Sequence, residues 1–425
     1  MPPPRAQTGL RAFLARARSV LTAPPSQRPA PLTFVIGNES ADLDSLCSAL
    51  LLAYFRTHHH GNSSNGVLHI PLCHLPRADL ALRPEFRAVL ADAGAAPDDV
   101  LTLDELPAPH LQPEDTRWLL VDHNVMTGTL GALYGDRVVG CIDHHVDEGG
   151  NVLCIDDDSK PVRIIEKSGS CASLVLEHCK DAWDALSTAV AAEGADEEGT
   201  GARIDAQLAR LALGPILIDT VNLGDEHKTT AHDVRAVEIA ESKIHGGDPY
   251  DRATFFANVA ALKEDVSHMS FRDIFRKDYK EWIDEDTGLK LGTSAMPRSF
   301  AYIVREKTPV EGEGTFIEEL GKWSAEKGID IASVMDGFVD DGGVFHRELL
   351  VWARGSEKAV QAAKAFAEAN AEKLQLRAWG DGKLDLDDET EGWRRCWAQG
   401  RVEHSRKQIA PMLRYVLSEK TAASN

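Results

Sequence analysis

The sequence predicts an α/β protein of two domains: an N-terminal parallel sheet with helices on both faces, then a smaller mixed α/β C-terminal domain. Three observations predict it. The 425 residues exceed one ordinary core and suit two domains of roughly 150 to 250 residues. The first 145 residues alternate β-rich apolar runs with helical stretches. Three such runs lead into acidic side chains, two of them joined by imidazoles, where ligands bind in parallel sheets.

Residues 1–30 are rich in Arg and Pro and contain no acid. The stretch GLRAFLARARSVL can form a basic amphipathic helix. It reads either as a mitochondrial transit peptide or as a helix packed beside the first strand and followed by a Pro-rich connector. The second reading is the expectation, with the cytoplasm as compartment and the mitochondrion as alternative. β-rich runs follow at LTFVIG (32–37), VLHIPLC (67–73), RWLLVD (117–122) and RVVGCID (137–143). Between the first two, LDSLCSALLLAYF is apolar enough for a helix buried on most faces. The first run leads into NESADLD, the third into DHN and the fourth into DHH.

Ser170 is placed to open a helix through SCASLVLEHCKDA, and acidic, Gly-rich AAEGADEEGTGA (191–202) reads as a surface loop. The apolar segment ARLALGPILIDTVNL (209–223) delivers Asp219, and HDVRAVEIAESKI (232–244) is helical. HGGDPYD (245–251) marks the domain boundary, giving a metal-binding domain over 1–246, with 1–30 as an extension, and a second domain over 255–425. The second domain reads as a helical stretch through FRDIFRKDYKEW, β-like runs at SFAYIVRE and RELLVWAR, and helices at 356–373 and near the C-terminus. No internal repeat is visible.

A net charge of −21 opposes broad binding to nucleic acid or anionic membrane, so a polyanionic substrate needs local cations. No apolar run approaches the roughly 20 residues of a membrane span. The seven cysteines are odd in number, scattered and never arranged as CxxC, which suits reduced thiols in an intracellular protein.

Four segments carry the chemistry: Asp42 and Asp44 in SADLDS, Asp122 in LLVDHN, Asp143, His144 and His145 in CIDHH, and Asp219 in LIDT. Alternate residues of an extended strand end point the same way, so Asp42 and Asp44 can face one cavity. Crowded carboxylates need cations, and carboxylates with an imidazole suit one or two Mn²⁺ or Mg²⁺ ions better than zinc. A single Asp at a strand end is commonly a helix cap or turn former. Recurrence at four successive strand-end positions is what points to metal. His58, His59 and His60 read instead as a helix C-terminus and exposed loop, and His346 is open between core and substrate contact.

The ordered set GNESADLDS, LVDHN, DHH and ILIDT resembles the DHH phosphoesterase superfamily. FRKDYKEW (275–282) and HSRKQIAP (404–411) resemble the C-terminal domain shared by family II inorganic pyrophosphatases and fungal-type exopolyphosphatases. SGSCASLV (168–175), HREL (346–349) and SRKQ point to the exopolyphosphatase branch. The resemblance implies that Asp42 binds one metal and Asp44 the other, that Asp122 bridges both, and that His144 and Asp219 complete the second ion's set of ligands. It places His145 against the phosphoryl group. Lys280, Arg406 and Lys407, with Arg347 added, would hold phosphate in a cleft between the domains; Arg suits this through its planar fork. Pyrophosphatases have a ligating His where this chain has Asn38, so Asn38 is at most a weak ligand, and the first site should tolerate Mg²⁺.

The implied activity is hydrolysis of terminal orthophosphate from linear inorganic polyphosphate by metal-activated water. A monomer is the expectation, and the net charge argues against a nucleic-acid or membrane partner. The enzyme alternatives are an inorganic pyrophosphatase or a small-nucleotide phosphodiesterase. The alternative of another class is a polyphosphate-binding regulatory or scaffold protein with little turnover. DGGVFHREL does not reproduce the glycine-triplet-His signature of DHH nucleases.

Overall fold

A computed structural model describes residues 9–58, 67–107, 111–150, 152–153, 162–192, 200–244, 249–307, 312–340, 342–388 and 391–418. The chain divides into two compact units, Met1–Lys263 and Glu264–Asn425.

The first unit opens with α1 (Leu10–Leu21), whose Leu10, Phe13, Leu14, Ala17 and Leu21 recur at helical spacing and are buried. Arg18 on its polar face donates to Glu105 Oε1 at 2.5 Å and to Val100 O at 2.9 Å. The basic helix is thus built into the fold, as the second sequence reading has it. β1 (Leu32–Ile36) is buried at every residue. It runs through Gly37 to α2 (Leu43–His58), and a Cβ on Gly37 would sit 2.6 Å from Ser45 Cβ, so only glycine lets strand end and helix start approach this closely.

α2 is buried on nearly all faces, as its composition predicts. His58 at its end departs from the expectation. It is buried against Phe13 and Tyr54, with Nδ1 2.8 Å from Tyr54 O. His59 and His60 lie outside the described residues, as do Cys154, most of the predicted acidic loop and residues 245–248.

β2 (His69–Leu72), α3 (Pro84–Asp92), β3 (Thr116–Val121), α4 (Gly128–Tyr134), β4 (Val138–Asp143) and β5 (Arg163–Ile165) complete the first half of the unit. α5 (Cys171–Ala192), α6 (Thr200–Asp219), α7 (Ala231–Ser242) and α8 (Arg252–Glu264) form the second. The five strands are parallel in the order β2-β1-β3-β4-β5. The strand order reverses beside β1, so the switch point that forms a crevice in such sheets lies between β1 and β3. α8 sends Phe255 and Val259 into the first core, so that core extends past the boundary drawn at 245–251.

The second unit comprises α9 (Phe271–Lys277), β6 (Tyr279–Ile283), β7 (Lys290–Met296), α10 (Phe300–Lys307), α11 (Glu313–Lys327), β8 (Ile331–Asp336), β9 (Phe338–Val339) and β10 (Phe345–Ala353). α12 (Glu357–Leu374), β11 (Leu376–Ala378), β12 (Leu386–Asp388), β13 (Gly392–Gln399) and α13 (Arg406–Leu417) follow. Its eight-stranded mixed sheet runs β11-β13-β10-β8-β7-β6, with β12 on β13 and β9 on β10. Alternation sorts side chains into two cores. Val334, Leu350 and Trp352 join the aromatic core of α9, α10 and α11. Ile331, Leu349 and Val351 join that of α12 and α13.

Two sequence expectations fail here. SFAYIVRE is α10, not a strand, because Phe300, Ile303 and Val304 are buried at helical spacing and Ser299 Oγ accepts the Tyr302 N–H. The predicted helix through FRDIFRKDYKEW stops at Lys277; Asp278 breaks it at φ −137°, and YKEWI pairs with β7.

Between β8 and β10 the second unit buries a carboxyl pair. Asp336 Oδ1 accepts the Glu348 N–H at 2.8 Å, while Glu348 accepts from Phe300 N at 2.8 Å and Trp379 Nε1 at 2.7 Å. Burial first, and then the Glu348 carboxyl, raise the Asp336 pKa well above the carboxylate range. The folded state therefore keeps a proton that the unfolded chain releases near pH 4. Stability from this group is complete below that pH and is lost as the pH rises towards the folded pKa. Asp336→Asn, neutral at every pH, is expected to be more stable than the parent at pH 7 by about 1 kcal/mol or more, with the gap narrowing at pH 5. Denaturant unfolding at the two pH values checks this, and an equal gap at both would contradict it.

Candidate metal centre

The switch point brings together the ends of β1, β3 and β4. Asp122 follows β3 and is 2 % exposed. Its N–H extends the ladder to Ile142 O at 3.0 Å, and φ of 61° then turns the chain sharply. Asp is among the few residues that tolerate this left-handed conformation. Asp122 Oδ2 accepts from Ser45 Oγ at 2.6 Å and Asn38 Nδ2 at 2.8 Å. Oδ1 lies 3.1 Å from His144 Nε2 and 3.6 Å from His145 Nδ1. Burial opposes ionisation of Asp122, but His144, His145 and Ser45 outweigh it and hold the carboxyl well below its usual range.

The two histidines after β4 are oriented by different groups. His144 Nδ1 donates to Ser168 O, 2.9 Å away, which turns Nε2 towards Asp122 Oδ1. An imidazole nitrogen and a carboxylate oxygen at that distance share a proton or a cation. His145 Nδ1 is held 2.7 Å from Asp143 Oδ1, with its ring at 88° to that of His144. Asp143, fully buried, also accepts from both backbone N–H groups of the pair and from Asn124 Nδ2 at 2.6 Å. It shapes the motif from beneath.

Asp42 and Asp44 do not lie on an extended strand end. They start α2, where Asp42 Oδ1 accepts the Ser45 N–H at 3.0 Å and so caps the helix. Asp44, 3 % exposed, accepts from Ser170 Oγ (2.8 Å), Cys171 N (2.6 Å), Ala172 N (2.9 Å) and Ser48 Oγ (3.2 Å), joining the start of α2 to the start of α5. Its Oδ2 is 3.9 Å from His144 Nε2. Asp219 likewise ends helix α6 rather than a strand. Burial first, then the charges of Asp122 and Asp219, raise the Asp44 pKa, and Asp42 adds to the rise.

Among the described residues, Asp122, His144 and His145 are the one trio with donor atoms within 4.8 Å of one another. Asp44 stands beside them, and Asp42 and Asp219 act on it through their charge. Carboxylate oxygens with an imidazole nitrogen, mutually destabilised in a buried site, fit a Mn²⁺- or Mg²⁺-like ion. Asn38 uses its amide differently from a ligand. Nδ2 donates to Asp122 O and Oδ2, and Oδ1 accepts Ser40 N at 2.9 Å.

Sequence reasoning missed the residues that hold these groups. Fully buried Asp233 binds Gly169 N, Ser170 N, Ser173 Oγ and Thr230 N, fixing the loop that anchors His144 and Asp44. Its one local signal is the Thr-x-x-Asp capping box at the start of α7. His74 after β2 and His123 after β3 rest Nδ1 against Gly37 O and Val121 O. Burial lowers the pKa of both, that of His123 to about 4.

In the second unit, Lys280 lies on β6. Arg406, first in α13, donates to Asp278 O at 2.7 Å and Asp278 Oδ1 at 2.8 Å. Lys407 is exposed. Arg347 donates to Val402 O at 2.6 Å and stacks on Phe345, fastening β10 to the turn before α13. His346 bonds Asp340 at 2.7 Å and stacks on Phe338.

Comparison with known proteins agrees with this architecture. The model for the DHH family, N-terminal domain, matches residues 33–214, and that for the DHHA2 domain matches 258–416. A Schizosaccharomyces pombe protein named "Putative exopolyphosphatase" is 29% identical over 406 residues, 95% of this chain and 94% of its own length. An Archaeoglobus fulgidus protein named "Probable manganese-dependent inorganic pyrophosphatase" is 25% identical over 62% of this chain and 71% of its own. The crystal structure of a Methanococcus jannaschii "putative family II inorganic pyrophosphatase" shares the fold with TM-score 0.52 and 20% identity, covering 91% of this chain and 99% of that one.

The Asp233 contacts predict that Asp233→Ala costs on the order of 3 kcal/mol, because several buried donors lose their acceptor at once. Urea unfolding measures it; a cost below 1 kcal/mol would contradict the role given to Asp233.

Proposed function

We propose that this chain, a member of the DHH family carrying a DHHA2 domain, is a divalent-cation-dependent phosphoanhydride hydrolase that releases orthophosphate from the end of linear inorganic polyphosphate. The observation that carries the reading is the facing pair of Asp122 Oδ1 and His144 Nε2 at 3.1 Å, with Asp44 Oδ2 3.9 Å from the same nitrogen. Two Mn²⁺ or Mg²⁺ ions bound there would supply the positive charge that lowers the pKa of water towards neutrality and offsets the charge on phosphoryl oxygens.

The protein's own groups do the rest. Asp42, Asp44, Asp122, His144 and Asp219 would be the donors that hold the ions. Asp143 holds His145 by Nδ1, and Nε2 is the nitrogen assigned to the phosphoryl group. Asn38, Ser45 and a left-handed turn fix the direction of the Asp122 carboxylate. Lys280, Arg406, Lys407 and Arg347 are assigned to the phosphate chain, where guanidinium forks and ammonium groups balance developing negative charge. Asp278 sets the plane of the Arg406 guanidinium. With water as acceptor, no nucleotide is needed.

Polyphosphate is preferred to pyrophosphate on two grounds. The relative named for exopolyphosphatase spans nearly the whole chain, and Asn38 replaces an imidazole with an amide committed to Asp122. Six described cysteines are buried and free, which supports a reducing compartment, the cytoplasm. No described helix is long and apolar enough to cross a membrane.

Phosphate release from polyphosphates of defined length should exceed that from pyrophosphate and from a nucleotide diester, and should stop on chelation. A strong pyrophosphate preference would overturn the substrate, and full activity in chelator would overturn the mechanism. Asp122→Asn, which keeps the shape and tolerates the turn, should lower kcat at least about 100-fold with a near-native circular dichroism spectrum. Lys280→Ala should raise KM for polyphosphate several-fold while Mn²⁺ affinity stays as in the parent, as paired kinetics and calorimetry would show.

A further inference from the structure

The chain leaving Asp219 is strained in a way that ending a helix does not require. Val221, Asn222 and Leu223 are all left-handed, with φ of 51°, 56° and 64°. One such residue suffices to close a helix, and glycine usually supplies it. Here three L-residues in a row adopt it, and of the three only Asn222 is of a type that takes it readily. Val221 is β-branched and 52 % exposed, so burial of its side chain offsets little.

The turn is well made all the same. Asn222 N donates to Leu217 O at 2.7 Å, Asp225 N to Thr220 O at 3.0 Å, and Thr220 Oγ1 to Ile216 O at 2.6 Å.

A second cost sits in the same turn. Asn222 Oδ1 is shut off from solvent and receives no hydrogen bond. A buried acceptor without a donor is destabilising, and native structures hold few of them without a reason such as an ion. Strain and an orphaned oxygen together, three residues from a carboxylate of the centre, are the signature of a functional position.

The turn is also fastened to the centre. Fully buried Thr220 lies against Gly169, where a Cβ would meet Thr220 Cγ2 at 2.5 Å. At the other end Thr230 and Gly169 share Asp233 Oδ2. The neighbours of Gly169 are Ser168, which anchors His144, and Ser170, which donates to Asp44. Asn222 thus belongs to the loop that borders the centre on the Asp219 side.

We propose that Asn222 Oδ1 is a further oxygen donor to the divalent cation served by Asp219, Asp44 and His144. The assignment rests on the divalent-centre reading above. An amide oxygen is a hard, neutral donor. It completes an oxygen-rich shell without a further negative charge where Asp42, Asp44, Asp122 and Asp219 already crowd one another. The left-handed turn is then the means by which the amide is aimed.

The test is Mn²⁺ titration of the chelator-treated full chain by calorimetry, with melting temperatures in chelator and in Mn²⁺. Asn222→Gly keeps the left-handed turn freely and removes the oxygen. It should melt in chelator at or above the parent temperature, bind one Mn²⁺ roughly tenfold more weakly and lose part of the Mn²⁺-induced rise in melting temperature. Asn222→Asp, which retains an oxygen donor and tolerates the turn, should bind Mn²⁺ at least as tightly as the parent. Parental affinity in Asn222→Gly, or equal weakening in both variants, would overturn the assignment alone. Absence of Mn²⁺ binding by the parent chain would overturn both the assignment and the divalent centre beneath it.

Discussion

Like charges held close in a buried place dominate the first unit. Asp44 is buried among Asp122, Asp219 and Asp42, and its carboxyl is pushed towards the neutral form. It is kept there by four donors, three of them from the start of α5. Nearly every feature around it follows. Gly37 lets α2 begin against the strand end, Asp143 and Ser168 orient the two histidines, and Asp233 locks the loop that reaches Asp44. A core of this kind is costly unless something positive enters it. His144 Nε2, 3.1 Å from Asp122 Oδ1 and 3.9 Å from Asp44 Oδ2, marks the place such a charge would take.

The parallel sheet and the polar strand ends were legible because both are written in local sequence. LTFVIG, RWLLVD and RVVGCID have the composition of buried strands, and DHN and DHH stand directly after them. Asp42 and Asp44 read as a strand end because alternation and the first turn of a helix look alike over three residues. What separates them is the start of α2 at Leu43, which depends on packing against α5 and α6. Asp219 misled for a similar reason: ILID is as apolar as a strand, and its helical state is fixed by burial along α6. In SFAYIVRE the β-branched and aromatic content outweighed the helical spacing of the three residues that are buried.

The supporting residues were less legible still. Asp233, Ser45 and Asn124 reach their partners across 64, 77 and 19 residues of sequence, so no local pattern marks these contacts. The strain at Val221–Leu223 was invisible, since none of these residue types announces a left-handed backbone apart from Asn222. The basic residues of the second unit show the opposite case. Arg406 and Arg347 stand out in an acidic chain, yet the structure gives each a holding contact, Asp278 for one and Val402 O for the other. Charge alone could not have distinguished the anchored side chain from the exposed Lys407.

The account stands on the claim that the crowded carboxylates of the first unit form a two-cation centre. Equilibrium Mn²⁺ binding to the chelator-treated chain, counted by dialysis with atomic absorption at neutral pH, tests it most directly. It predicts about two ions per chain, with the count reduced when Asp44 is replaced by Asn. A parent chain that binds none at millimolar Mn²⁺, or an Asp44→Asn variant that binds the same number, would contradict it.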